Sequence, residues 1–403
     1  TFADKASNVV TTTGKGYAWY VRATDLEQQS SLSEVKYVDE KSYRFLRKST
    51  LYGGEVLLAK RGEIGKVYYF QMKTKRATLA PNLYLLKLKD TINSYFLFSL
   101  FKSTFGQNLL KSINASTSLG AIYKDDVKGL NILIPPFEEQ ASIATALSDV
   151  DSLISALTKK IEKKKAIKQG LMQQLLTGKK RLPGYEKNRE SVQTEWGTIP
   201  KDWKTLSIGK CCSIKARIGW QGLKKSEYQS SGEYVLVTGT DFLNGRIDWK
   251  SCVYVSKKRY EQDSNIQIVK HDILITKDGT IGKVAFLDDV PCLGTLNSGI
   301  FVVRSHSEEL DQSYLSKIFK SFIFDAFLES LVAGSTINHL YQKDFVHFNF
   351  PVPPTISEQT AIANILSDCD SEIAALEEKR DKYKEIKQGM MQQLLTGKIR
   401  LIK

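Results

Sequence analysis

The sequence predicts an α+β protein: two globular domains of mixed helix and strand, joined by two long antiparallel coiled-coil helices about a pseudo-two-fold axis. Three observations carry this expectation. The segment Glu139–Leu182 aligns without gaps to Glu358–Leu401, with 29 of 44 positions identical and a shift of 219. Both copies place apolar residues at steps of three and four, the period of a helix–helix seam. The stretches ahead of each copy repeat more faintly and open with short β-type runs broken by glycine.

The expected order is a globular domain over 1–134, a helical spacer over 135–182, a second globular domain over 183–352 and a second spacer over 353–403. In the first domain Glu55-Val56-Leu57-Leu58-Ala59, Val67-Tyr68-Tyr69-Phe70 and Leu83-Tyr84-Leu85-Leu86 read as strands, and a helix follows near Ser94–Lys111. The second domain mirrors them with Asp272–Thr276, Val284–Leu287 and Gly299–Val303, then a helix near Leu310–Leu331. Lys60-Arg61-Gly62-Glu63-Ile64-Gly65-Lys66-Val67 matches Lys277-Asp278-Gly279-Thr280-Ile281-Gly282-Lys283-Val284 at six of eight positions. Thr24-Asp25-Leu26 matches Thr240-Asp241-Phe242, and Ser116-Thr117-Ser118 before Tyr123 matches Gly334-Ser335-Thr336 before Tyr341. About 38 residues separate Trp196 from Tyr234, whereas 19 precede Tyr20. The opening element of the first domain is therefore expected to lie outside this chain, which also begins without Met.

Each helical copy follows a double proline, Pro135-Pro136 and Pro353-Pro354. The first seam runs Leu147, Val150, Ile154, Leu157, Ile161, Leu171 and Leu175; the second runs Leu366, Cys369, Ile373, Leu376, Tyr383, Met390 and Leu394. Lys164 and Lys168, with Arg380 and Lys387 in the second copy, interrupt it; polar seam positions fix register at some cost in stability. Thr355-x-x-Glu358 is a capping box, and Gly178 and Gly397 are helix stops. About 39 residues at ~1.5 Å each give a rod of roughly 58 Å. Gly170 and Gly389 sit mid-helix, where glycine costs about 1 kcal/mol relative to alanine; a close approach of helix to helix, or of helix to a partner, accounts for them, with a tolerated kink as the alternative.

Composition narrows the function. With 42% hydrophobic and 25% charged residues the chain is not disordered, and no run of 18 apolar residues encodes a membrane span. The five cysteines show no C-x-x-C, which fits reduced thiols in a cytosol. Net charge is +14, a balance that favours a polyanionic partner, most often nucleic acid. The excess sits early: residues 1–134 hold 20 Lys and Arg against 11 Asp and Glu, residues 183–352 hold 21 against 20.

Catalytic and cofactor signatures fail on inspection. Gly62-x-x-Gly65-Lys66 and Gly279-x-x-Gly282-Lys283 lack P-loop spacing, with Val after the lysine. Gly14-x-Gly16 has no third glycine, so the dinucleotide fingerprint is missing. Ile134-Pro135-Pro136-Phe137 is shaped like the N/D-P-P-Y/F motif of DNA amino-methyltransferases, but neither Ile134 nor Val352 can accept a hydrogen bond from a target amine. The four histidines show no metal spacing.

Binding chemistry remains. Lys215, Arg217, Trp220, Gln221, Lys224 and Lys225 mix cations, an amide and an aromatic in one glycine-containing loop. Cations neutralise phosphates, and Arg or Gln can pair bidentately with guanine or adenine edges. Lys60, Arg61 and Lys277 stand at matched turns; Arg22, Thr24, Thr238, Thr240, Ser116, Thr117, Ser335, Thr336 and Asn338 add a cation, hydroxyls and an amide. A solvated surface is an open reading for any single cluster; recurrence at equivalent turns favours DNA contact for the set.

The ordered set of motifs resembles the specificity subunit of type I restriction-modification systems over essentially the whole chain. The resemblance rests on the P-P…E-Q-x-x-I-A…L-S-D-x-D openings, the K-Q-G-[LM]-M-Q-Q-L-L-T-G-K-x-R-L endings, and Glu195-Trp196-Gly197-x-Ile199-Pro200-x-x-Trp203 at the head of the second domain. It implies two target-recognition domains that each read half of a bipartite, asymmetric DNA site, spaced by the helices. It implies two modification (methyltransferase) subunits docked on the helical repeats, around Gly170, Gln173, Gly389 and Gln392, with restriction (endonuclease/translocase) subunits joining. S-adenosylmethionine is expected on the modification subunit, with no cofactor, metal or catalysis in this chain, and the setting is a prokaryotic cytoplasm. Two other classes stay open from the residues alone: a coiled-coil scaffold with protein-binding ends, and a stand-alone DNA-modifying enzyme.

Overall fold

The structure is a computed structural model that describes residues 9–28, 30–61, 65–113, 121–186, 190–332 and 339–401. The chain forms two compact units, Thr1–Lys160 with Leu376–Lys403, and Ile161–Ala375. The division cuts both long helices rather than falling at residues 134, 182 and 352. Each unit is thus one globular domain together with the helix segments it packs on.

In unit 1 a five-stranded sheet runs in the order Thr11–Thr13, Lys36–Val38, Ala18–Val21, Ala77–Leu79, Thr50–Leu51; only the pair Ala18–Val21 with Ala77–Leu79 is parallel. A second, antiparallel sheet holds Val56–Ala59 between Val67–Tyr69 and Leu83–Leu86. Val56–Ala59 is buried on both faces. Leu57 and Ala59 join Trp19, Val21 and Phe70 in one core, while Val56 and Leu58 join Phe96, Leu100, Ile143 and Leu147 in another. This is the two-residue period of a strand between layers, and it ties the globular domain to the long helix.

Unit 2 repeats the plan. Ile273–Thr276 lies between Val284–Phe286 and Ile300–Ser305, and a fourth strand, Cys212–Lys215, extends the sheet. Tyr234–Val237 pairs antiparallel with Val253–Val255 and parallel with Leu293–Leu296. Ile273 and Ile275 face Phe301, Phe319, Ile362 and Leu366; Leu274 faces Val235 and Leu296.

The two long helices, Phe137–Leu175 and Ile356–Leu394, have 39 residues each. Within each unit their segments run antiparallel, since rising numbers on one meet falling numbers on the other. In unit 1 Glu139 accepts from Arg400 at 2.6 and 2.8 Å, and Asp151 from Lys387 at 2.6 Å. In unit 2 Lys164 reaches Glu372 at 2.7 Å, Lys168 reaches Asp370 at 2.5 Å and Arg181 reaches Glu358 at 2.6 Å. Three of the four cations that interrupt the seam are therefore paired across it; Arg380 instead turns to its neighbour Asp381.

The Glu-Gln dipeptide that opens each repeat also has a structural reason. Gln140 accepts from the Asn93 amide at 2.9 Å and donates to the Thr91 and Pro135 carbonyls. Gln359 does the same with the Asp311 amide at 2.8 Å and the Glu309 and Pro353 carbonyls. Each glutamine fastens the start of a long helix to the start of a short domain helix.

Several sequence expectations are refined. The helix near Ser94–Lys111 is two, Ser94–Lys102 and Thr104–Ser112, because Ser103 is extended and caps the second by accepting from the Gly106 amide at 3.1 Å. The helix near Leu310–Leu331 likewise divides into Gln312–Phe319 and Phe322–Val332. Only half of the capping box at Thr355 forms: its hydroxyl accepts from the Glu358 amide at 3.3 Å, but the Glu358 carboxylate turns to Arg181. Gly178 and Gly397 take left-handed φ of 66° and 70°, as helix stops do.

Gly170 and Gly389 do not mark a close helix-on-helix approach: a Cβ built at either meets nothing within 4 Å. Their cost in the isolated chain is conformational. Gly170→Ala and Gly389→Ala should each raise unfolding free energy by about 0.5–1 kcal/mol, measured by urea denaturation. A loss of stability at either would show that the glycine conformation is required there.

Candidate nucleic-acid interface

The matched loops converge at the same rim in each unit, and the hydrogen bonds show how. In unit 1 the strand ending at Val21 leads into Arg22 and Thr24. The Val21 carbonyl accepts from the Ala80 amide at 2.9 Å; two residues on, the Asn82 carbonyl accepts from the Lys60 amide, and the Lys60 carbonyl from the Ile122 amide, both at 3.0 Å. Arg61 bridges antiparallel to Ala121. In unit 2 the same path runs from Val237 to Asn297 at 2.9 Å, from Gly299 to Lys277 and from Lys277 to Leu340, both at 2.8 Å, with Asp278 bridging His339.

Aspartates that the motif pattern alone did not single out shape the first of these loops. Asp25 and Asp241 are 2% and 4% exposed. Each accepts from a backbone amide three residues back, Arg22 at 3.2 Å and Thr238 at 2.7 Å. Asp25 also holds the Arg22 guanidinium at 3.1 Å, which raises the arginine pKa above its usual value. Asp241 holds the Thr238 hydroxyl at 3.0 Å, and that hydroxyl lies 2.7 Å from the Thr240 hydroxyl. Their recurrence in Thr24-Asp25 and Thr240-Asp241 was the available signal.

The lysines are aimed by aromatic rings. Lys60 Nζ lies 4.6 Å from the Tyr84 ring centroid and donates to the Pro81 carbonyl at 2.6 Å; Lys277 Nζ lies 5.2 Å from the ring of Phe301, the equivalent residue. Burial lowers the Lys60 pKa below that of an ordinary lysine. Arg61, Thr24 and Thr240 are exposed; Arg22, Lys60, Lys277 and Thr238 are half-buried. Ser116, Thr117, Ser335, Thr336 and Asn338 lie outside the described residues.

The loop after Cys212–Lys215 separates into two kinds of residue. Lys215, Lys224 and Lys225 are exposed. Arg217 is 2% exposed: it donates to the Leu296 carbonyl at 2.9 Å, to the Thr295 hydroxyl at 3.0 Å and toward Gln262 at 3.4 Å. Burial, then repulsion from Arg259, lowers its pKa. In this position Arg217 braces the loop against the strand Leu293–Leu296 instead of offering a free cation. Gln221 is also buried, at 6% exposure, and Trp220 lies in the short turn Gly219–Gln221. Arg217→Ala should cost about 1.5–3 kcal/mol for its lost charged hydrogen bonds, read by urea unfolding. Unchanged stability would return Arg217 to the set of free cations.

On the helices, Gln173, Gln392 and Gly389 are exposed and Gly170 is half-buried. Among the described residues no cluster of three or more His, Cys, Asp or Glu could hold a metal, and no helix is long and apolar enough to cross a membrane. All five cysteines are free thiols.

Two copies of one frame, carrying unlike loops and each built on segments of the two long helices, define a duplicated two-unit protein. The sequence matches the family described as "Type I restriction modification DNA specificity domain" over residues 4–169 and 200–388, and the chain belongs to that family. It is 28% identical over 380 residues, covering 93% of this chain and 85% of the relative, to the "Putative type I restriction enzyme MjaX specificity subunit" of Methanocaldococcus jannaschii. It is 27% identical to the MjaVIII specificity subunit of the same organism, over 81% of this chain and 75% of that one. The EcoKI specificity subunit of Escherichia coli matches at 22% over half of this chain and 44% of its own length. In structure, the S subunit of a type I restriction-modification system from M. genitalium shares the fold with a TM-score of 0.61, at 14% identity over 96% of this chain and 94% of that one.

Proposed function

We propose that this chain is the sequence-specific DNA-recognition subunit of a type I restriction-modification complex, without catalysis of its own. Each unit reads one half of a bipartite, asymmetric site in double-stranded DNA. Two modification subunits dock on the helical repeats and supply the S-adenosylmethionine site, restriction subunits join them, and the complex works in a prokaryotic cytoplasm.

One observation carries the reading: the frame is kept between units while the groups it displays differ. Arg61 stands where Asp278 stands, and Arg22 where Thr238 stands, on equivalent hydrogen-bond paths. A frame that holds turns constant and varies their side chains suits base-edge readout. Two different displays imply two different half-sites.

Duplex binding by the chain with its modification partner, measured against salt, tests this. Affinity should fall steeply with log salt, as phosphate contacts require. A flat profile would favour a protein-binding scaffold, and methyl transfer by the chain alone would favour a DNA-modifying enzyme.

A further inference from the structure

In unit 2 the turn that follows Ile273–Thr276 carries Lys277 and Asp278, and its backbone is anchored on both sides. The Lys277 amide donates to the Gly299 carbonyl, and the Lys277 carbonyl accepts from the Leu340 amide, both at 2.8 Å. Asp278 bridges antiparallel to His339. Beyond it, the Thr276 hydroxyl donates to the Thr280 carbonyl at 2.6 Å and accepts from the Lys283 amide at 2.9 Å. Gly279 and Gly282 reverse the chain with left-handed φ of 69° and 80°. The place of Asp278 is thus set by the backbone around it.

Its side chain is set as well. His339 Nδ1 hydrogen-bonds to Asp278 Oδ1; since a carboxylate only accepts, the imidazole is the donor. The His339 ring packs on Tyr341, with centroids 4.5 Å apart, and Lys343 Nζ lies 5.6 Å from the Tyr341 ring. Asp278 is exposed, and among the described residues its ionic partner is this histidine rather than a lysine or arginine. The result is an oriented carboxylate on the same rim as Lys277, Thr238 and Thr240.

A carboxylate in that place is unsuited to phosphates, because like charges repel. What it accepts is an amino hydrogen. In the major groove cytosine offers its N4 amine with no acceptor on the same base edge. Adenine sets N7 beside its N6 amine, guanine presents N7 and O6, and thymine presents O4. Two acceptor oxygens therefore meet a repelling lone pair on every base except cytosine. The matched turn of unit 1 has the reverse polarity: Arg61, a donor, bridges Ala121, whose methyl cannot hold a carboxylate.

We propose that Asp278 is a specificity-determining residue that accepts a hydrogen bond from the N4 amine of a cytosine in the major groove, with His339 as its positioning residue. The assignment rests on the DNA-recognition reading above and names the base that one turn of unit 2 selects.

The test selects duplexes from a randomised pool with the complex of this chain and its modification subunit. In one of the two parts of the motif, a C·G pair should become A·T with Asp278→Asn, because an amide pairs with adenine N6 and N7. The ratio of adenine to cytosine there should change about tenfold or more, with the other part of the motif unchanged. Asparagine keeps the shape of Asp278 and still accepts from His339, so the turn is retained. His339→Ala should weaken the preference for cytosine at that same pair without moving it to adenine, and His339→Asn, which keeps a donor, should restore it. A motif that Asp278→Asn leaves unchanged, or changes at a base other than cytosine or in both parts, overturns the assignment and leaves the DNA reading standing. If the unaltered complex selects no motif, the DNA reading falls and the assignment with it.

Discussion

Replacing Arg181 with alanine should destabilise unit 2 by about 3–5 kcal/mol, the usual cost of stranding one partner of a buried ion pair. The Glu358 side chain is 1% exposed and Arg181 8%. Arg181 donates to Glu358 at 2.6 and 2.7 Å and to Asp202 at 2.8 and 3.0 Å, so one guanidinium serves two carboxylates. Burial raises the Glu358 pKa even with Arg181 beside it. A carboxyl whose folded pKa is raised contributes stability that is present below its unfolded pKa and lost as pH rises through the folded value. Without the guanidinium that rise grows. The deficit of Arg181→Ala should therefore be largest near neutral pH and shrink on acidification, as protonated Glu358 no longer buries a charge. Urea unfolding at several pH values reads this. A deficit independent of pH would mean that packing, not charge, sets the loss.

The deficit of the counterpart Arg400→Ala in unit 1 should also shrink on acidification, there because a lowered carboxyl pKa is restored. Arg400 lowers the Glu139 pKa. That contribution is present above the unfolded carboxyl value and lost as pH falls through the folded one, and Arg400→Ala removes it.

Changing Lys60 and Arg61 together to alanine should weaken DNA binding by about 1–3 kcal/mol for each base edge that goes unread, and lower the salt slope by about one for each phosphate no longer neutralised. Lys60 is held beside Tyr84 and the Pro81 carbonyl, and Arg61 is exposed at the turn beside Ala121. The pair is thus placed before DNA arrives, and its removal should not unfold the domain. The weakening should appear for one half-site only. Lys163→Ala, on an exposed helix position in unit 2, is the control that should change neither quantity. Equal weakening by both variants would mean that general basic charge, not the rim, binds the duplex.

The helices and their antiparallel pairing were legible because repetition and seam period are properties of sequence order. Lys164, Lys168 and Lys387 looked like interruptions, yet the structure pairs each with an acid on the other helix. The recurring turns at Lys60 and Lys277 were legible for the same reason. What sequence could not separate was Arg217 from Lys215: both are cations in one loop, and only the approach of Leu293–Leu296 decides that one is buried. The Arg181–Glu358 and Arg400–Glu139 clamps join residues 177 and 261 apart in sequence. Their identity in both repeats, with opposite charge, was a signal available in the sequence. The breaks at Ser103 and near Ser321 were missed because local helix pattern continues through them.

The central claim is that two unlike reading surfaces on one duplicated frame each specify half of a target. Methylation sequencing of genomic DNA from cells carrying this chain with its modification subunit tests it most directly, read beside cells in which residues 212–348 are replaced by those of another family member. The expected result is an asymmetric motif of two parts separated by unread bases, with one part changed by the replacement and the other kept. A continuous or palindromic motif, or a replacement that changes both parts, would contradict it.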